Sequence, residues 1–291
     1  MVQVPEGLKT KALEIAALLE KQGLKSYISC EPAYGACDLR DREAKELDCD
    51  ALLHIGHTDF GIQPKIPVIY EPYEIEFNPL PLLERHIASL KKYKKICLLT
   101  TSQFLKSLDT TKRFLEKNKI NTLQGTCGHT GIQGQVLGCD YSAAFSHENE
   151  ADCFLFLGSG KFHPLGLALR TDKPVISLDF ETGNLVDFSQ EKGKLEKIKA
   201  FHIAQARDAR TFGILLSTKA GQGSLQCAEQ VKEKLEQKNK KAWILVMDEI
   251  TPSKLMGMDM DILVNCACPR LNEDFSLFKK PILKPQDIDT L

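Results

Sequence analysis

The chain has 291 residues, of which 43% are hydrophobic and 26% charged, and its formal net charge is −1. This composition is typical of a soluble globular protein with one large domain or two to three small ones, and it excludes a global basic field that would attract nucleic acid. No apolar stretch reaches the ~18 residues of a membrane span and no signal sequence is recognised, so we expect a cytoplasmic protein that binds neither nucleic acid nor membrane.

Amphipathic helices and short apolar strands alternate along the chain. Apolar residues recur at three- and four-residue steps, as in helices, over residues 8–21, 110–119 and 224–237. Buried strands are predicted at residues 51–55, 96–100, 154–157, 175–178, 212–216, 243–247 and 262–264. This alternation predicts an α/β fold of three similar, small parallel-sheet domains, residues 1–90, 91–206 and 207–291.

An internal repeat supports three units. The first copy has Cys37-Asp38, an apolar run from Asp50, and Pro67 before a second apolar run; the second copy has Cys139-Asp140, Asp152 and Pro174 in the same order. The cysteine precedes the aspartate of the run by 13 residues in both copies. A weaker third copy contains Asp261 and Pro281, with Asp248 where Cys37 stands in the first. A pseudo-threefold packing of these units would bring three loops to one centre.

The ten cysteines include no Cys-x-x-Cys pair. In a reducing compartment they are buried small residues, metal ligands or catalytic groups rather than disulfides. The one close pair, Cys266 and Cys268, would point to the same face of a strand. A zinc ribbon or a cluster built from local spacing is therefore disfavoured, and any metal cluster must be assembled from distant parts of the chain.

Three cysteines stand out as candidate ligands. Cys37 and Cys139 are each followed by an aspartate and a helix-compatible stretch, so we expect the aspartate to be a helix N-cap and the thiolate to lie near the positive end of the helix dipole. Cys268 precedes Pro269 after the predicted strand 262–264; a plain turn at the strand end is an equally good interpretation. We expect the remaining seven to be packing residues: Cys30, Cys49, Cys97, Cys127, Cys153, Cys227 and Cys266.

Two glycine-containing loops follow predicted strands, where parallel sheets usually bind ligands. Residues 158–164 read Gly-Ser-Gly-Lys-Phe-His-Pro, and residues 218–223 read Thr-Lys-Ala-Gly-Gln-Gly. Either could present backbone amides to a carboxylate or phosphate, or could be an ordinary tight turn. His163 and, more weakly, His57 are candidates for ligand contact at these strand ends.

Several motifs together resemble the archaeal 2-(3-amino-3-carboxypropyl)histidine synthases, which make the first step of diphthamide biosynthesis. The motifs are Val4-Pro-Glu-Gly-Leu-Lys9, Tyr34-Gly-Ala-Cys-Asp38, His57-Thr-Asp59, Gly134-Gln-Val-Leu-Gly-Cys-Asp140, Lys161-Phe-His-Pro-Leu-Gly166, Thr218-Lys-Ala-Gly-Gln222 and Ala267-Cys-Pro-Arg-Leu271. The resemblance runs from residue 3 to about residue 285 in the order of the family's motifs, with a short N-terminal lead.

The resemblance implies a metal site and a reaction. One cysteine from each domain, Cys37, Cys139 and Cys268, would hold a [4Fe-4S] cluster with one iron left open. The enzyme would cleave the bond between sulfur and Cγ of S-adenosylmethionine and add the 3-amino-3-carboxypropyl radical to C2 of a histidine imidazole on translation elongation factor 2, leaving methylthioadenosine. This transferase would be a noncanonical radical enzyme, without the Cys-x-x-x-Cys-x-x-Cys motif of the usual ones.

Carried onto this chain, the same resemblance suggests residues that contact S-adenosylmethionine. They are the loop residues Gly158, Ser159, Gly160 and His163, together with Gln135 and Arg270. It also implies a homodimer and an external electron donor.

Two alternatives stay open at this point. A quinolinate synthase-like [4Fe-4S] dehydratase also combines three α/β domains and three cysteines, although its motifs differ from those quoted. A non-catalytic partner subunit that delivers electrons is the second, as in the eukaryotic heterodimer of the family; the three intact cysteine motifs favour a self-sufficient subunit.

Overall fold

The structure is a computed structural model that describes residues 1–291, apart from the side chains of Glu273 and Asp274. Its contacts group the chain into two compact units, Met1–Ser189 and Gln190–Leu291. Among the described residues, no helix combines the length and apolarity needed to cross a membrane.

The first unit contains two sheets. In chain order, the first elements are β1 (Val2–Gln3), α1 (Lys9–Lys21), α2 (Asp41–Glu46), β2 (Leu52–Ile55), β3 (Val68–Glu71) and α3 (Leu80–Leu90). Helix α3 packs Leu83 and Leu90 into the core of the second sheet. The three strands are parallel in the order β1-β2-β3, and an isolated parallel bridge joins Val2 to Ile28 beyond β1.

The second sheet is larger. Its elements are β4 (Lys95–Thr100), α4 (Lys106–Lys117), β5 (Asn121–Leu123), α5 (Ser142–Phe145), β6 (Cys153–Gly158), α6 (Phe162–Ala168), β7 (Val175–Asp179) and β8 (Leu185–Asp187). The order is β5-β4-β6-β7-β8, with only β8 antiparallel to its neighbour among the described pairings. All six residues of β6 are buried, as expected of a central strand covered on both faces.

The second unit contains the third sheet. Helix α7 (Ser189–Asp208) begins one residue before this unit. The elements that follow are β9 (Thr211–Ser217), α8 (Leu225–Gln237), β10 (Lys241–Met247), β11 (Ile262–Asn265), α9 (Phe275–Phe278) and β12 (Ile282–Leu283). The strands are parallel in the order β10-β9-β11-β12. Helix α8 packs Ala228, Val231 and Leu235 against strand residues such as Phe212 and Val264 to form the core.

The backbone confirms the internal repeat. The same hydrogen bond occurs near the start of β2, β6 and β11. In each strand one amide, that of Leu52, Phe154 or Leu263, donates to the carbonyl of the repeat proline at 2.9 Å. Those prolines are Pro67, Pro174 and Pro281. Proline lacks an amide but keeps its carbonyl, so it can end a strand's ladder in this way.

The repeated aspartate is a structural residue in two of the three copies. Asp152 Oδ2 accepts the amides of Lys94 and Lys95 at 2.8 and 2.9 Å. Asp261 Oδ2 accepts those of Arg210 and Thr211, both at 2.9 Å. These hydrogen bonds lower the pKa of both carboxyls. Asp152 therefore ties the start of β6 to the start of β4, and Asp261 ties the start of β11 to the start of β9.

The predicted α/β class with small parallel sheets is confirmed. Each predicted strand is present and differs by at most two residues at either end, because short apolar runs are bounded by polar residues. The predicted burial of the run 243–247 is wrong: β10 is an edge strand, and its Trp243 and Val246 are 47% and 59% exposed. Helix α4 begins four residues before the predicted start, and α7 had not been predicted. The three sheets fall within residues 1–90, 91–206 and 207–291, but the division into three domains stays a prediction.

Candidate functional site

Cys37 lies half-buried in the loop between Ile28 and α2. The next residue, Asp38, is fully buried, and Arg40 Nη2 lies 3.3 Å from its Oδ1. Gln3 on β1 donates from Nε2 to the Asp38 carbonyl at 2.7 Å. A side chain of the sheet therefore fixes the backbone next to Cys37.

The predicted N-cap role of Asp38 is wrong. Helix α2 begins at Asp41, and Arg40 occupies the cap position with no side-chain hydrogen bond to the helix. The carboxylate of Asp38 faces Arg40 instead of the helix amides. With six residues, α2 also provides only a small dipole near Cys37.

Cys139 is exposed, and its neighbour Asp140 is the centre of a compact hydrogen-bonded group. Asp140 Oδ1 accepts the Ser142 amide at 2.8 Å; Oδ2 accepts the His129 amide at 3.1 Å and lies 2.7 Å from His129 Nδ1. Burial opposes ionisation, but the bonds from Ser142 and His129 outweigh it and lower the pKa of Asp140.

The N-cap prediction is thus only partly met at Asp140. It accepts one amide at the start of α5, which has four residues and no side-chain bond from the cap position itself. Its other oxygen binds His129, eleven residues earlier in the chain. Asp140 therefore anchors the Cys139 turn chiefly to the loop that carries His129.

Cys268 is half-buried in a turn after β11. Asn265 is the last residue of β11, and its side chain makes three hydrogen bonds. Its Nδ2 donates to the Cys268 carbonyl at 2.8 Å and to Asn272 Oδ1 at 2.7 Å. Its Oδ1 accepts the Ala267 amide at 2.9 Å. Because β11 ends at Asn265, both Cys266 and Cys268 lie beyond the strand, and the case of a shared strand face does not arise. One buried asparagine instead holds both sides of the Cys268 turn.

The expectation for the other cysteines holds for most of them. Cys97, Cys127, Cys153 and Cys266 are buried, and Cys49 and Cys227 are partly buried. Cys30 is exposed, so its assignment as a packing residue is wrong. It follows the isolated bridge at Ile28, where the chain pairs too briefly for its side chains to be covered.

Gln135 is buried and bridges two loops of the first unit. Its Nε2 donates to Thr58 Oγ1 at 3.0 Å, and its Oε1 accepts from Thr130 Oγ1 at 2.8 Å. Thr58 belongs to the loop after β2, and Thr130 follows His129. Both ends of the amide are thus used within the protein, and a direct contact of Gln135 with S-adenosylmethionine stays a prediction.

The loop after β6 is tied to the Cys139 turn. The Tyr141 hydroxyl donates to the His163 carbonyl at 3.1 Å. Gly158 and Gly160 have φ values of +152° and +74°, which favour glycine. Ser159 and Gly160 are exposed, and the His163 ring stacks on Phe156 with centroids 5.8 Å apart.

Arg270 lies in the second unit, in the 3-10 helix Pro269–Asp274 that follows Cys268, and only 3% of it is exposed. Apart from the side chains of Glu273 and Asp274, which the structure does not describe, no three or more His, Cys, Asp or Glu residues are grouped so as to hold a metal ion. The roles of Arg270, of the residues 158–163 and of the three cysteines stay predictions.

A histidine pair, not predicted from the sequence, lies beside Gln3, with His54 buried and His57 partly buried. Gln3 Oε1 accepts the Arg40 amide at 3.2 Å and lies 3.0 Å from His54 Nδ1, so His54 Nδ1 donates to it. His54 Nε2 then accepts from His57 Nδ1 at 2.9 Å. Burial, and for His54 also the charge of a protonated His57, lower the two pKa values to about 3 for His54 and about 4 for His57.

This pair predicts a pH-dependent stability. The unfolded histidines bind protons below about pH 6.5, whereas the folded ones stay neutral until about pH 4. Stability should be full above pH 6.5 and fall by about 1.4 kcal/mol per pH unit for each histidine as the pH drops toward 4. Urea denaturation at pH 7, 6 and 5 should give a free energy of unfolding that falls less steeply with decreasing pH in His57→Gln than in the wild-type protein. The same dependence on pH in both proteins would contradict the assignment.

Comparison with known proteins places the chain in a family. A sequence profile of diphthamide synthesis proteins matches residues 4–291. The 2-(3-amino-3-carboxypropyl)histidine synthase of Pyrococcus horikoshii is 36% identical over 295 residues, covering 100% of this chain and 84% of the relative. Subunit 1 of the Caenorhabditis elegans synthase is 31% identical over 298 residues, covering 99% of this chain and 74% of the relative.

Solved structures agree with these matches. The crystal structure of Dph2 from Pyrococcus horikoshii with a 4Fe-4S cluster superposes with a TM-score of 0.91 at 36% identity, covering 99% of this chain and 84% of that one. A second crystal structure of the same protein gives a TM-score of 0.92 over the same shares of the two chains. The resemblance found in the sequence motifs, and with it the expected transferase class, is confirmed. The chain belongs to the diphthamide synthesis protein family.

Proposed function

We propose that this enzyme transfers the 3-amino-3-carboxypropyl group of S-adenosylmethionine to C2 of a histidine imidazole in translation elongation factor 2. The bond between sulfur and Cγ is cleaved and methylthioadenosine is released, which makes this the first step of diphthamide synthesis. The observation that carries the proposal is the match of the whole chain to synthases of this modified histidine. The transfer would take place in the cytoplasm and requires an external electron donor.

We propose that Cys37, Cys139 and Cys268 hold a [4Fe-4S] cluster. The donor chemistry fits, because thiolates are the usual ligands of such clusters, and each binds a different iron. All three cysteines are at least partly accessible, unlike the cysteines of the cores. When bound, the cluster supplies a single electron and an iron with an open coordination position.

The role of the protein in this proposal is to hold the turns that carry the ligands. Gln3 binds the carbonyl after Cys37, His129 and Ser142 bind the carboxylate after Cys139, and Asn265 binds the carbonyl of Cys268. Partners of this kind orient metal ligands, and their loss typically costs about 10–100-fold in metal affinity or activity. Sequence reasoning missed Gln3, His129 and Asn265 because none belongs to a cysteine motif.

S-adenosylmethionine is assigned to the loop after β6. Ser159 and Gly160 are exposed there, and their backbone amides can bind a carboxylate. His163 and Arg270 are further candidates, and a guanidinium such as that of Arg270 binds a carboxylate in a fork. We also propose that the active form is a homodimer.

A transfer assay tests the function. Anaerobic protein is mixed with dithionite, elongation factor 2, and S-adenosylmethionine labelled in its carboxyl carbon. We expect label in the factor, equimolar methylthioadenosine, and no label in a factor whose target histidine is replaced. Deoxyadenosine in place of methylthioadenosine would refute the bond cleavage. Transfer that occurs only after an added paralogue would show a partner subunit instead.

A further inference from the structure

Two thiols that are not proposed cluster ligands lie close together in the second unit. The sulfur atoms of Cys227 and Cys266 are 3.8 Å apart. Cys227 lies in the first turn of α8, and Cys266 directly follows β11. They are 39 residues apart in the chain, so only the fold brings them together.

Both backbones are anchored. The Cys227 amide donates to Ser224 Oγ at 3.2 Å, and the Cys266 amide donates to the Leu215 carbonyl at 3.0 Å. A disulfide has a sulfur–sulfur length of about 2.05 Å, so the two sulfurs must approach by less than about 2 Å. Because both backbones are held by hydrogen bonds, the disulfide requires that this approach come from rotation of the two side chains.

The pair also lines a cavity of about 380 Å³. Cys266 is 5% exposed, whereas Cys227 is only partly buried. The cavity is bordered by Gly223 and Asn265 as well as by the two thiols. A small oxidant that enters it would meet Cys227 first, with Cys266 within reach behind it.

We propose that Cys227 and Cys266 form a redox site that closes reversibly to a disulfide with hydrogen peroxide. The Cys227 thiol and one peroxide molecule give a sulfenic acid and one water molecule. Cys266 sulfur then attacks the Cys227 sulfur, the new S–S bond forms, the S–O bond breaks, and a second water leaves with the thiol proton. Two electrons pass in total from the two thiols to the peroxide.

The disulfide would join the start of α8 to the segment that continues into the Ala267–Pro269 turn. It would fix this segment more firmly and raise the unfolding temperature of the oxidised protein, because a cross-link restricts the unfolded chain. The inference does not depend on the proposed function, since it needs only the two thiols and their geometry.

The test uses the full chain in a variant in which Cys37, Cys139 and Cys268 are all serine, so that no released cluster ligand competes. The protein is treated with one equivalent of hydrogen peroxide, alkylated, digested and analysed by mass spectrometry. We expect a peptide cross-linked between residues 227 and 266, a loss of two reactive thiols, and recovery of both with dithiothreitol. Circular dichroism confirms that the variants are folded.

Cys227→Ser in the same background should form no disulfide, and Cys30→Ser should leave the cross-link unchanged. Cys266→Ala provides a second test, since its Cys227 should stop at sulfenic or sulfinic acid. Overoxidation of Cys227 without a cross-link when Cys266 is present, or a disulfide to any other cysteine, would overturn the proposal.

Discussion

Replacing any one of Cys37, Cys139 and Cys268 by alanine is expected to remove the bound iron–sulfur cluster and the transfer activity with it. Each substitution deletes one of three proposed ligands, and two thiolates bind too weakly to retain the cluster during purification. Loss of a residue that only orients a ligand costs about 10–100-fold in metal affinity, so loss of the ligand itself should cost more. Iron and sulfide content, and the broad visible absorption of thiolate-bound centres, measure the effect.

Two other cysteines provide matched controls. Cys30 is exposed, as Cys139 is, and Cys49 is partly buried, as Cys37 and Cys268 are. Cys30→Ser and Cys49→Ser should therefore keep the iron content and the colour of the wild-type protein. Full iron content in all three ligand variants would rule out the ligand assignment, while the transfer assay would still report on the proposed reaction.

Local sequence predicts where the two cysteine motifs lie in the repeat, but not which contacts their aspartates make. Cys37-Asp38 and Cys139-Asp140 are identical dipeptides at the same point of a repeat. Asp38 is nevertheless buried against Arg40, and Asp140 binds His129 and Ser142. The repeat predicted that the two cysteines are equivalent, but partners elsewhere in the chain decide what each aspartate does.

The strands were predictable because runs such as Cys153–Gly158 are buried on both faces and therefore wholly apolar. Some hydrogen bonds around the candidate site instead join residues that are far apart in the chain. Gln3 lies 35 residues from Asp38, and Gln135 lies 77 residues from Thr58. Gln3 is also in a two-residue strand, which is too short to show any periodicity.

The second large effect is expected from Gly125→Ala, which should destabilise the first unit by about 3 kcal/mol, since overpacking a close contact typically costs about 1–3 kcal/mol and occasionally more. Gly125 is buried, and a Cβ atom there would collide with the Ala143 carbonyl and with Ser146 Oγ. Ser146 can rotate away, but Ala143 is backbone of α5. To relieve the collision α5 must move, and α5 begins two residues after Asp140.

The movement of α5 gives this substitution a second consequence. It should displace the Cys139 turn and lower the iron content of the purified protein, although Gly125 touches no proposed ligand. Gly7→Ala is the matched control, because no atom lies within 4 Å of its added Cβ; a surface change of this kind should stay within about 0.5 kcal/mol. Urea denaturation compares the three proteins, and adding Ser146→Ala to Gly125→Ala should restore only part of the loss, since the clash with the Ala143 carbonyl remains. A Gly125→Ala protein as stable as Gly7→Ala would contradict the close packing of this loop on α5.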